Sequence, residues 1–336
     1  MKLIIQIPCY DEEATLAVAL AALPRQVPGF DRVEWLVIDD GSTDRTVEVA
    51  RAAGADHVVR HPHNKGLAQA FMTGLETSLK LGADVIVHTD ADNQYNAADI
   101  PALVAPILKG EAQIVIGERP IAHIAHFSRA KKLLQRLGSW VVSAASGVRI
   151  PDAPSGFRAI DREAAIQLYA YTDYTYTLET IIQAGRRNIA ITSVPVRVNP
   201  DLRPSRLIRS TAGYVWRSVH TILRVFMLYM PMAFLTTVAA VFGTAGLVLC
   251  LRYLWFMAIG EGEGHVQSLL LAAVLLVAAM IFMMGALISD TIAANRRLLE
   301  ELRARRLREE LTAARAAAPE APSPPARALR AAGEGS

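Results

Sequence analysis

Two carboxylates separated by one residue follow an apolar run in the segment HTDADNQ, residues 88–94. Asp90 and Asp92 come directly after residues 85–88, whose β-branched side chains predict a buried strand. Hard divalent cations bind carboxylate oxygens together with the phosphates of a substrate. The pair therefore predicts a Mg²⁺ or Mn²⁺ site for a diphosphate. The alternative is a pair of strand-end acids that cap the next helix.

Further acids follow the first two apolar runs. Asp11 follows the first, and Asp39 and Asp40 end the second, in WLVIDDGSTDRT. Asp39 or Asp40 is placed to accept hydrogen bonds from a base or a ribose hydroxyl, whereas Asp44 is placed to cap a helix that begins at Arg45. The sequence has neither a G-x-G-x-x-G after the first strand nor a G-x-x-x-x-G-K-[ST] motif, which disfavours dinucleotide dehydrogenases and P-loop NTPases.

Short β-rich runs and helical patterns alternate through the first half of the chain. The predicted strands cover residues 3–7, 35–38, 57–59, 85–88 and 114–116, and the predicted helices cover residues 14–23, 45–53, 66–81, 100–108 and 129–146. This alternation predicts an α/β fold with a mostly parallel sheet covered on both faces. Ligands of such sheets bind beyond the carboxyl ends of the strands, which is where the acids gather.

The second half carries the hydrophobic excess of the 336-residue chain. Residues 225–251 and 266–289 contain no charged side chain, and each run is long enough to cross a hydrocarbon core of about 30 Å. The alternative is two buried core helices. Arginines flank both runs, whereas the connector GEGEGH carries two acids and no Lys or Arg. The positive-inside rule then predicts that both flanks are cytoplasmic and that the protein lies in the inner (cytoplasmic) membrane.

The predicted organisation has six segments. They are a cytosolic domain (1–202), an amphipathic interfacial helix (203–228), two transmembrane helices (229–259 and 266–289), a cytosolic helix (290–317) and a disordered tail (318–336). The arginines of the amphipathic segment, residues 203–228, fall on one helical face. The segment therefore either lies in the membrane interface or packs on the domain. We expect any homo-oligomer to form through the two spans.

Net charge and cysteine content exclude other classes. The formal charge of +3 does not indicate a nucleic-acid partner. Cys9 and Cys250, one in the first loop and one in an apolar run, predict neither a disulfide nor a zinc site.

Six ordered motifs resemble those of family 2 glycosyltransferases, in particular the dolichyl- or polyprenyl-phosphate sugar synthases. They are IPCYDEE, IDDGSTDRT, NKGLAQA, DADNQ, GER and DAPSGFRA, and the resemblance covers residues 3–210. It implies a GT-A nucleotide-sugar-binding domain joined to a pair of transmembrane helices. It also implies inverting, metal-dependent transfer of a sugar from a UDP- or GDP-linked donor to undecaprenyl or dolichyl phosphate in the lipid bilayer, with the sugar left open.

The resemblance also implies a role for individual residues. The implied nucleotide-sugar contacts are Pro8, Tyr10, Glu12, Asp40, Lys65, Asp90, Ala91, Asp92 and Gln94. The implied metal site is Asp90, Asp92 and Gln94, and the implied acceptor-phosphate site is Arg119, Arg129, Arg203 and Arg206. The implied catalytic residues are Asp152, Asp92, Arg119 and Glu179. The motifs GER and RPSRL depart from the family's frequent G-S-R and Ser-Lys-Leu.

A phosphate acceptor changes what the carboxylates must do. A phosphate monoester is largely dianionic at neutral pH, because its second pKa is about 6, and so it needs little deprotonation. Asp152 is therefore predicted to orient the sugar and Arg158 rather than to take a proton. Plainer interpretations are a structural Arg158 paired with Asp152, Glu179 as a helix-surface acid, Tyr176 as a core aromatic and Lys65 as a surface lysine.

Two rival functions fit parts of the sequence. A processive polysaccharide synthase usually has more spans and a Q-x-x-R-W motif, and the sequence has neither. A catalytically inactive, membrane-tethered nucleotide-sugar-binding scaffold would not need Asp90, Asp92, Asp152 and Arg119 together.

Overall fold

The computed structural model describes residues 1–120, 142–170 other than 145 and 149, 176–200, 229–260 and 262–317, together with 224 and 227. The predicted interfacial helix, most of the predicted helix over residues 129–146 and the predicted tail lie outside the described residues. Three predicted acceptor-site residues also lie outside them: Arg129, Arg203 and Arg206.

A seven-stranded mixed sheet forms the centre of the α/β domain. Its strands are β1 (Lys2–Cys9), β2 (Arg32–Asp39), β3 (His57–Arg60), β4 (Val85–His88), β5 (Ile114–Glu118), β6 (Arg158–Asp161) and β7 (Ile191–Pro195). Their order in the sheet is β3-β2-β1-β4-β6-β5-β7. β6 runs antiparallel to both of its neighbours, and the other paired strands are parallel.

The five strands expected from the sequence are confirmed, and two more were not predicted. β6 has the sequence RAID, in which the short apolar stretch is bounded by two charged residues. β7 has the sequence ITSVP and is only partly buried. Neither strand has the continuous aliphatic run that marks β1, β2 and β4. β6 is a short interior strand with only two apolar residues, and β7 is a partly buried edge strand.

Eight α-helices are described. They are α1 (Leu16–Ala22), α2 (Thr46–Ala52), α3 (Leu67–Lys80), α4 (Ile100–Leu108), α5 (Arg162–Gln167), α6 (Tyr176–Arg186), α7 (Pro231–Ala258) and α8 (Val266–Ala317). α1 to α4 match the sequence-based bounds to within two residues at each end. One apolar core packs α3, α5, α6 and the end of α8 against the sheet. A second core packs α1 and α4 against the opposite face.

α7 and α8 are long and apolar enough to cross a membrane. The apolar windows of the two helices have mean hydropathies of 2.1 and 2.8, and only 11% of each window is buried. This exposure contradicts the alternative of two buried core helices. The helices approach closely at Gly246, where an added Cβ would lie 3.2 Å from the Ala272 carbonyl oxygen.

The second apolar span continues without a break into the α/β domain. α8 is one helix of 52 residues, so the predicted transmembrane and cytosolic helices over residues 266–317 are continuous. Leu307 and Leu311 of α8 are buried in the domain core. Arg308 pairs with Glu163 of α5 at 3.1 Å. The span is therefore tied to the domain by packing as well as by the chain.

Candidate active site

The loop after β1 is braced against the loop after β2. Asp11 adopts a positive φ of 52°, and its carboxylate accepts a hydrogen bond from Thr43 N at 2.8 Å. The Glu12 amide donates to Thr46 Oγ1 at 2.9 Å. Asp44 accepts from Thr46 N at 3.0 Å, as expected for an acid at the start of a helix. The two loops therefore form one unit at the carboxyl edge of the sheet.

Three predicted nucleotide contacts, Pro8, Tyr10 and Glu12, lie on this unit and differ in exposure. Tyr10 is 41% exposed. Glu12 is buried and accepts a hydrogen bond from Thr15 Oγ1 at 2.7 Å, which ties it to the start of α1. Pro8 is buried in β1. Nucleotide binding by these three residues stays a prediction.

Asp40 holds the loop that precedes α3. Its carboxylate accepts hydrogen bonds from the amides of Lys65 and Gly66, both at 2.9 Å. It also lies 2.7 Å from Nδ1 of His61. Because Asp40 is only 4% exposed, the contact that the structure supports directly is with the protein. The Lys65 side chain is exposed, as in its plainer interpretation, and nucleotide binding by Asp40 and Lys65 stays a prediction.

The second acid at this position, Asp39, is fully buried. One of its oxygens accepts a hydrogen bond from Ser42 N at 3.1 Å. The other oxygen lies 3.1 Å from Arg60 Nε but without the alignment of a hydrogen bond. Asp39 thus closes the turn after β2 and retains acceptor capacity.

Asp90 and Asp92 lie on the turn that follows β4, the central strand beside β1. The turn is closed by a hydrogen bond from Gln94 N to Asp92 Oδ1 at 3.0 Å, and Asn93 adopts a positive φ of 57°. Ala91 between the two acids is buried. The two carboxylates therefore emerge together at the sheet edge, as the sequence predicts.

The carboxylate of Asp90 is in an unfavourable environment for a negative charge. Burial, and then the neighbouring charge of Asp92, raise the pKa of Asp90 to about 7. The charge of Arg119 acts in the opposite direction, and Glu12 adds to the repulsion. A divalent cation would relieve this repulsion, so the donor set fits one. No group of three His, Cys, Asp or Glu side chains gathers around a metal-sized site within the described residues.

A buried polar network that was not predicted from the sequence lies next to Asp90. His88 at the end of β4 lies 3.9 Å from Asp90 Oδ1 through its Nε2. The Nδ1 of His88 lies 3.1 Å from Gln6 Nε2, and its Nε2 lies 2.9 Å from the Tyr176 hydroxyl. Burial, and then the charge of Arg158, lower the pKa of His88 to about 3. His88 is therefore neutral and lies beside Asp90 without pairing its charge.

Sequence signals for this network exist. Gln6 interrupts the aliphatic run of β1, and His88 ends that of β4, so both are polar residues at positions where a buried strand favours apolar side chains. Room for Gln6 comes from Gly74 of α3, since an added Cβ would collide with the Gln6 amide. Tyr176 is buried, as its core interpretation expects, but it also binds His88.

Arg119 and Asp152 form a buried, two-pronged ion pair. Arg119 Nε donates to Asp152 Oδ2 at 2.7 Å and Arg119 Nη2 donates to Oδ1 at 2.9 Å. The Arg119 amide adds a third hydrogen bond at 3.2 Å. Although burial alone would lower it, the pKa of Arg119 is raised by Tyr95 and by its hydrogen bonds to Asp152. Arg119 therefore remains charged beside the carboxylate pair.

The expectation that Asp152 pairs with Arg158 is wrong. Arg158 is 1% exposed and donates to the carbonyls of Ala153 and Ser155, both at 2.8 Å. It also donates to Thr180 Oγ1 at 2.7 Å. Its guanidinium therefore shapes the loop that carries Asp152, because the loop carbonyls turn inward and need buried donors.

The loop before β6 also closes over the acidic turn. At Gly156, an added Cβ would lie 3.2 Å from Asp90 Oδ2, and the Gly156 amide donates to the Tyr95 hydroxyl at 3.0 Å. A side chain at this position would crowd the carboxylate. Glu179 of α6 is fully buried, so its interpretation as a helix-surface acid is wrong, and its catalytic role stays a prediction.

Comparison with known proteins gives the same picture. The model of the family described as "Glycosyl transferase family 2" matches residues 4–168. An uncharacterized glycosyltransferase of Mycobacterium bovis is 30% identical over 196 residues, which is 58% of this chain and 84% of that protein. The undecaprenyl-phosphate mannosyltransferase of Micrococcus luteus is 29% identical over 224 residues, 63% of this chain and 90% of that protein.

Among solved structures, the chain resembles glucosyl-3-phosphoglycerate synthase from Mycobacterium tuberculosis, crystallised with Mn²⁺, UDP and glucosyl-3-phosphoglycerate. The TM-score is 0.52 at 25% identity, over 66% of this chain and 79% of that one. The mixed sheet, the acidic turn after β4 and these similarities agree on one fold and one enzyme class. The chain belongs to glycosyl transferase family 2 and is a glycosyltransferase with a GT-A domain.

Proposed function

We propose that this glycosyltransferase moves a sugar from a UDP- or GDP-linked donor to the phosphate of a membrane polyprenyl phosphate, with inversion at the anomeric carbon. The proposal is based on the acidic turn with Asp90 and Asp92 near Arg119, in a domain into whose core the second apolar helix packs. The name of the Micrococcus luteus relative, an undecaprenyl-phosphate mannosyltransferase, supports a lipid phosphate as the acceptor.

Asp90 and Asp92 are proposed to hold a Mg²⁺ or Mn²⁺ ion on the donor diphosphate. When bound, the ion would offset the charge that the nucleotide diphosphate gains as it leaves. The turn would fix the two carboxylates for this role, since Gln94 N holds Asp92 and the His88 network supports Asp90. Mn²⁺ in the similar crystal structure supports a divalent ion.

Arg119 is proposed to face the negative charge that accumulates where donor and acceptor meet. A dianionic phosphate is already a nucleophile and gains little from a base at neutral pH. Asp152 already accepts three hydrogen bonds from Arg119. Its proposed role is therefore to fix the guanidinium of Arg119, while Arg129, Arg203 and Arg206 are proposed to bind the acceptor phosphate. Charged hydrogen bonds of this kind are the strong ones in proteins.

The arginine distribution supports a cytoplasmic catalytic domain. Arg296 and Arg297 follow the apolar part of α8, and the connector between α7 and α8 is acidic. We propose that both ends of the helix pair face the cytoplasm and that residues 262–265 face outward.

Replacing Asp92 with Ala tests the metal site. We expect transfer to polyprenyl phosphate to fall roughly 100-fold or more, the scale expected when stabilisation of a developing charge is lost. The protein should stay folded, because Asp92 is partly exposed on a turn. The matched control is Asp31→Ala, an 87% exposed acid before β2 at the opposite edge, which should be fully active. Normal turnover of Asp92→Ala, or in excess EDTA, contradicts the assignment.

Two substitutions of Asp152 separate an orienting group from a base. Asp152→Asn keeps the shape and an acceptor oxygen for Arg119, whereas Asp152→Ala leaves a buried arginine unpaired. We expect Asp152→Asn to keep more activity, and its deficit not to be rescued by raising the pH from about 6 to about 9. The measurement is a pH–rate profile of both variants, with thermal unfolding to monitor folding. If both are equally inactive throughout, Asp152 is instead the catalytic base.

Neutralising the acceptor-site arginines tests the lipid phosphate. We expect Arg129→Gln, Arg203→Gln and Arg206→Gln each to raise the KM for polyprenyl phosphate about tenfold or more, since a hydrogen bond from a charged group contributes about 1.5–3 kcal/mol. Donor affinity should change little. Arg306→Gln, an 82% exposed position on α8, is the control. An equal loss of nucleotide affinity would assign these arginines to the donor.

Labelling of single cysteines tests the orientation. With Cys9 and Cys250 both replaced by Ser, a cysteine introduced at Glu263 should react with an impermeant reagent in intact cells. A cysteine introduced at Arg306 should react only after permeabilisation, because the two positions lie at opposite ends of the helix pair. The reverse pattern would overturn the proposed topology.

A further inference from the structure

A cavity of about 870 Å³ lies outside the acidic site, between α6, Tyr229 and α8. Its walls come from the ends of α5 and α6, from Tyr229 two residues before α7, and from the part of α8 beyond the apolar span. None of its lining residues belongs to the predicted nucleotide, metal or acceptor sites. α6 itself links the two regions, because it begins at Tyr176 beside His88 and ends at this cavity.

The cavity is strongly basic. Six of its thirteen lining residues are arginines and two are glutamates. Four of these arginines have carboxylate partners. Glu300 pairs with Arg187 and Arg296, Arg305 pairs with Glu301, and Arg308 pairs with Glu163.

Two of the arginines have no carboxylate within ion-pair distance among the described residues: Arg186 and Arg297. The guanidinium of Arg186 donates to the Tyr229 carbonyl. Burial, and then the charges of Arg297 and Arg296, lower the pKa of Arg186. The charges of Arg297 and Arg296 therefore oppose that of Arg186, Glu300 offsets only part of this repulsion, and an anion in the cavity would offset more.

A buried hydroxyl lies in the same wall. Tyr229 is 2% exposed, and the guanidinium groups of Arg296 and Arg186 lie 4.9 and 5.9 Å from its ring centroid. Its hydroxyl has no aligned hydrogen-bond partner in the described part of the chain. Gln183 is a neighbour, but the Gln183 amide oxygen accepts from Tyr169 N at 3.0 Å. The cavity thus combines two arginines that have no carboxylate partner among the described residues with a hydroxyl that has no aligned hydrogen-bond partner there.

The position of the cavity along the helices identifies the source of the anion. Tyr229 lies two residues before α7, and Arg296 and Arg297 are the first cations after the apolar part of α8. About 20 helical residues cross a hydrocarbon core, so both walls lie at the same membrane boundary. Basic pockets beside transmembrane helices on the cytoplasmic side bind the head groups of anionic lipids.

We propose that this cavity binds the phosphodiester head group of an anionic phospholipid and so holds the catalytic domain against the membrane surface. Arg186, Arg296 and Arg297 supply the charge, and the Tyr229 hydroxyl supplies a neutral hydrogen bond. The inference rests on the membrane insertion in the proposed function but not on the sugar acceptor, because the lining residues differ from those of the active site.

The experiment uses the full chain in phosphatidylcholine nanodiscs with graded fractions of phosphatidylglycerol. Thermal unfolding and native mass spectrometry report lipid binding without using activity, so a chain inactive toward polyprenyl phosphate would still give an answer. We expect phosphatidylglycerol to stabilise the wild type. The apparent affinity for it should fall about tenfold in Arg297→Gln, as expected for the loss of a charged hydrogen bond.

Two further variants make the result specific. Arg306→Gln removes the same charge from α8 outside the cavity and should bind phosphatidylglycerol as the wild type does. Tyr229→Phe keeps the ring and should be as stable as the wild type in pure phosphatidylcholine, yet gain less from phosphatidylglycerol. Tyr229→Phe therefore tests binding of phosphatidylglycerol in the cavity even if Arg297→Gln folds poorly.

Three results would overturn the proposal. Equal losses in Arg297→Gln and Arg306→Gln would indicate attraction to surface charge alone. Equal stabilisation by inorganic phosphate would indicate a site for a free anion. Displacement of phosphatidylglycerol by polyprenyl phosphate would indicate that the cavity belongs to the acceptor.

Discussion

The constraint around which the acidic edge of the sheet is arranged is the negative charge of Asp90, which lies in a desolvated position beside a second carboxylate, Asp92. Burial, and then the charge of Asp92, raise the pKa of Asp90 to about 7, so the ionised carboxylate is disfavoured at this position. The surroundings fix its place without cancelling its charge. His88 below it is neutral, Gly156 presents no side chain, and Arg119 is already committed to Asp152. The turn is therefore preorganised for the divalent cation that we propose it binds together with the donor.

The antiparallel direction of β6 places the loop that precedes it at the same edge of the sheet as the acidic turn. A parallel strand between β4 and β5 would enter the sheet at its far edge, whereas β6 begins at the catalytic edge and carries its preceding loop there. That loop brings Asp152 to Arg119 at the end of β5 and Gly156 to Asp90 at the end of β4. Arg158 holds the loop by binding its carbonyls. A residue at the start of β6 thus shapes the site without being part of it.

The limits of prediction follow from the same geometry. Continuous aliphatic runs identify β1, β2 and β4, and a D-x-D at a strand end identifies the acidic turn, because each signal is local. The Arg119–Asp152 pair depends on where an unpredicted strand returns the chain, 33 residues later. Arg158 is nearer to Asp152 in sequence, which favours the wrong pairing. The Gln6–His88–Tyr176 network likewise joins three separate elements, so only its individual polar residues are visible in the sequence.

Because α8 is continuous, it connects the second apolar span rigidly to the α/β domain. A helix of 52 residues is about 78 Å long at 1.5 Å per residue, and about 30 Å of that suffices for a hydrocarbon core. The remainder enters the domain, where Leu307 and Leu311 are buried. In the proposed reaction, a donor from the aqueous phase and an acceptor phosphate at the bilayer surface would have to meet in a narrow range of geometries. A flexible tether would leave the catalytic edge free to tumble over that surface. A rigid helix packed into the same core as α3 and α6 instead fixes the domain relative to the apolar span, so the fold itself would help to bring the two proposed substrates together.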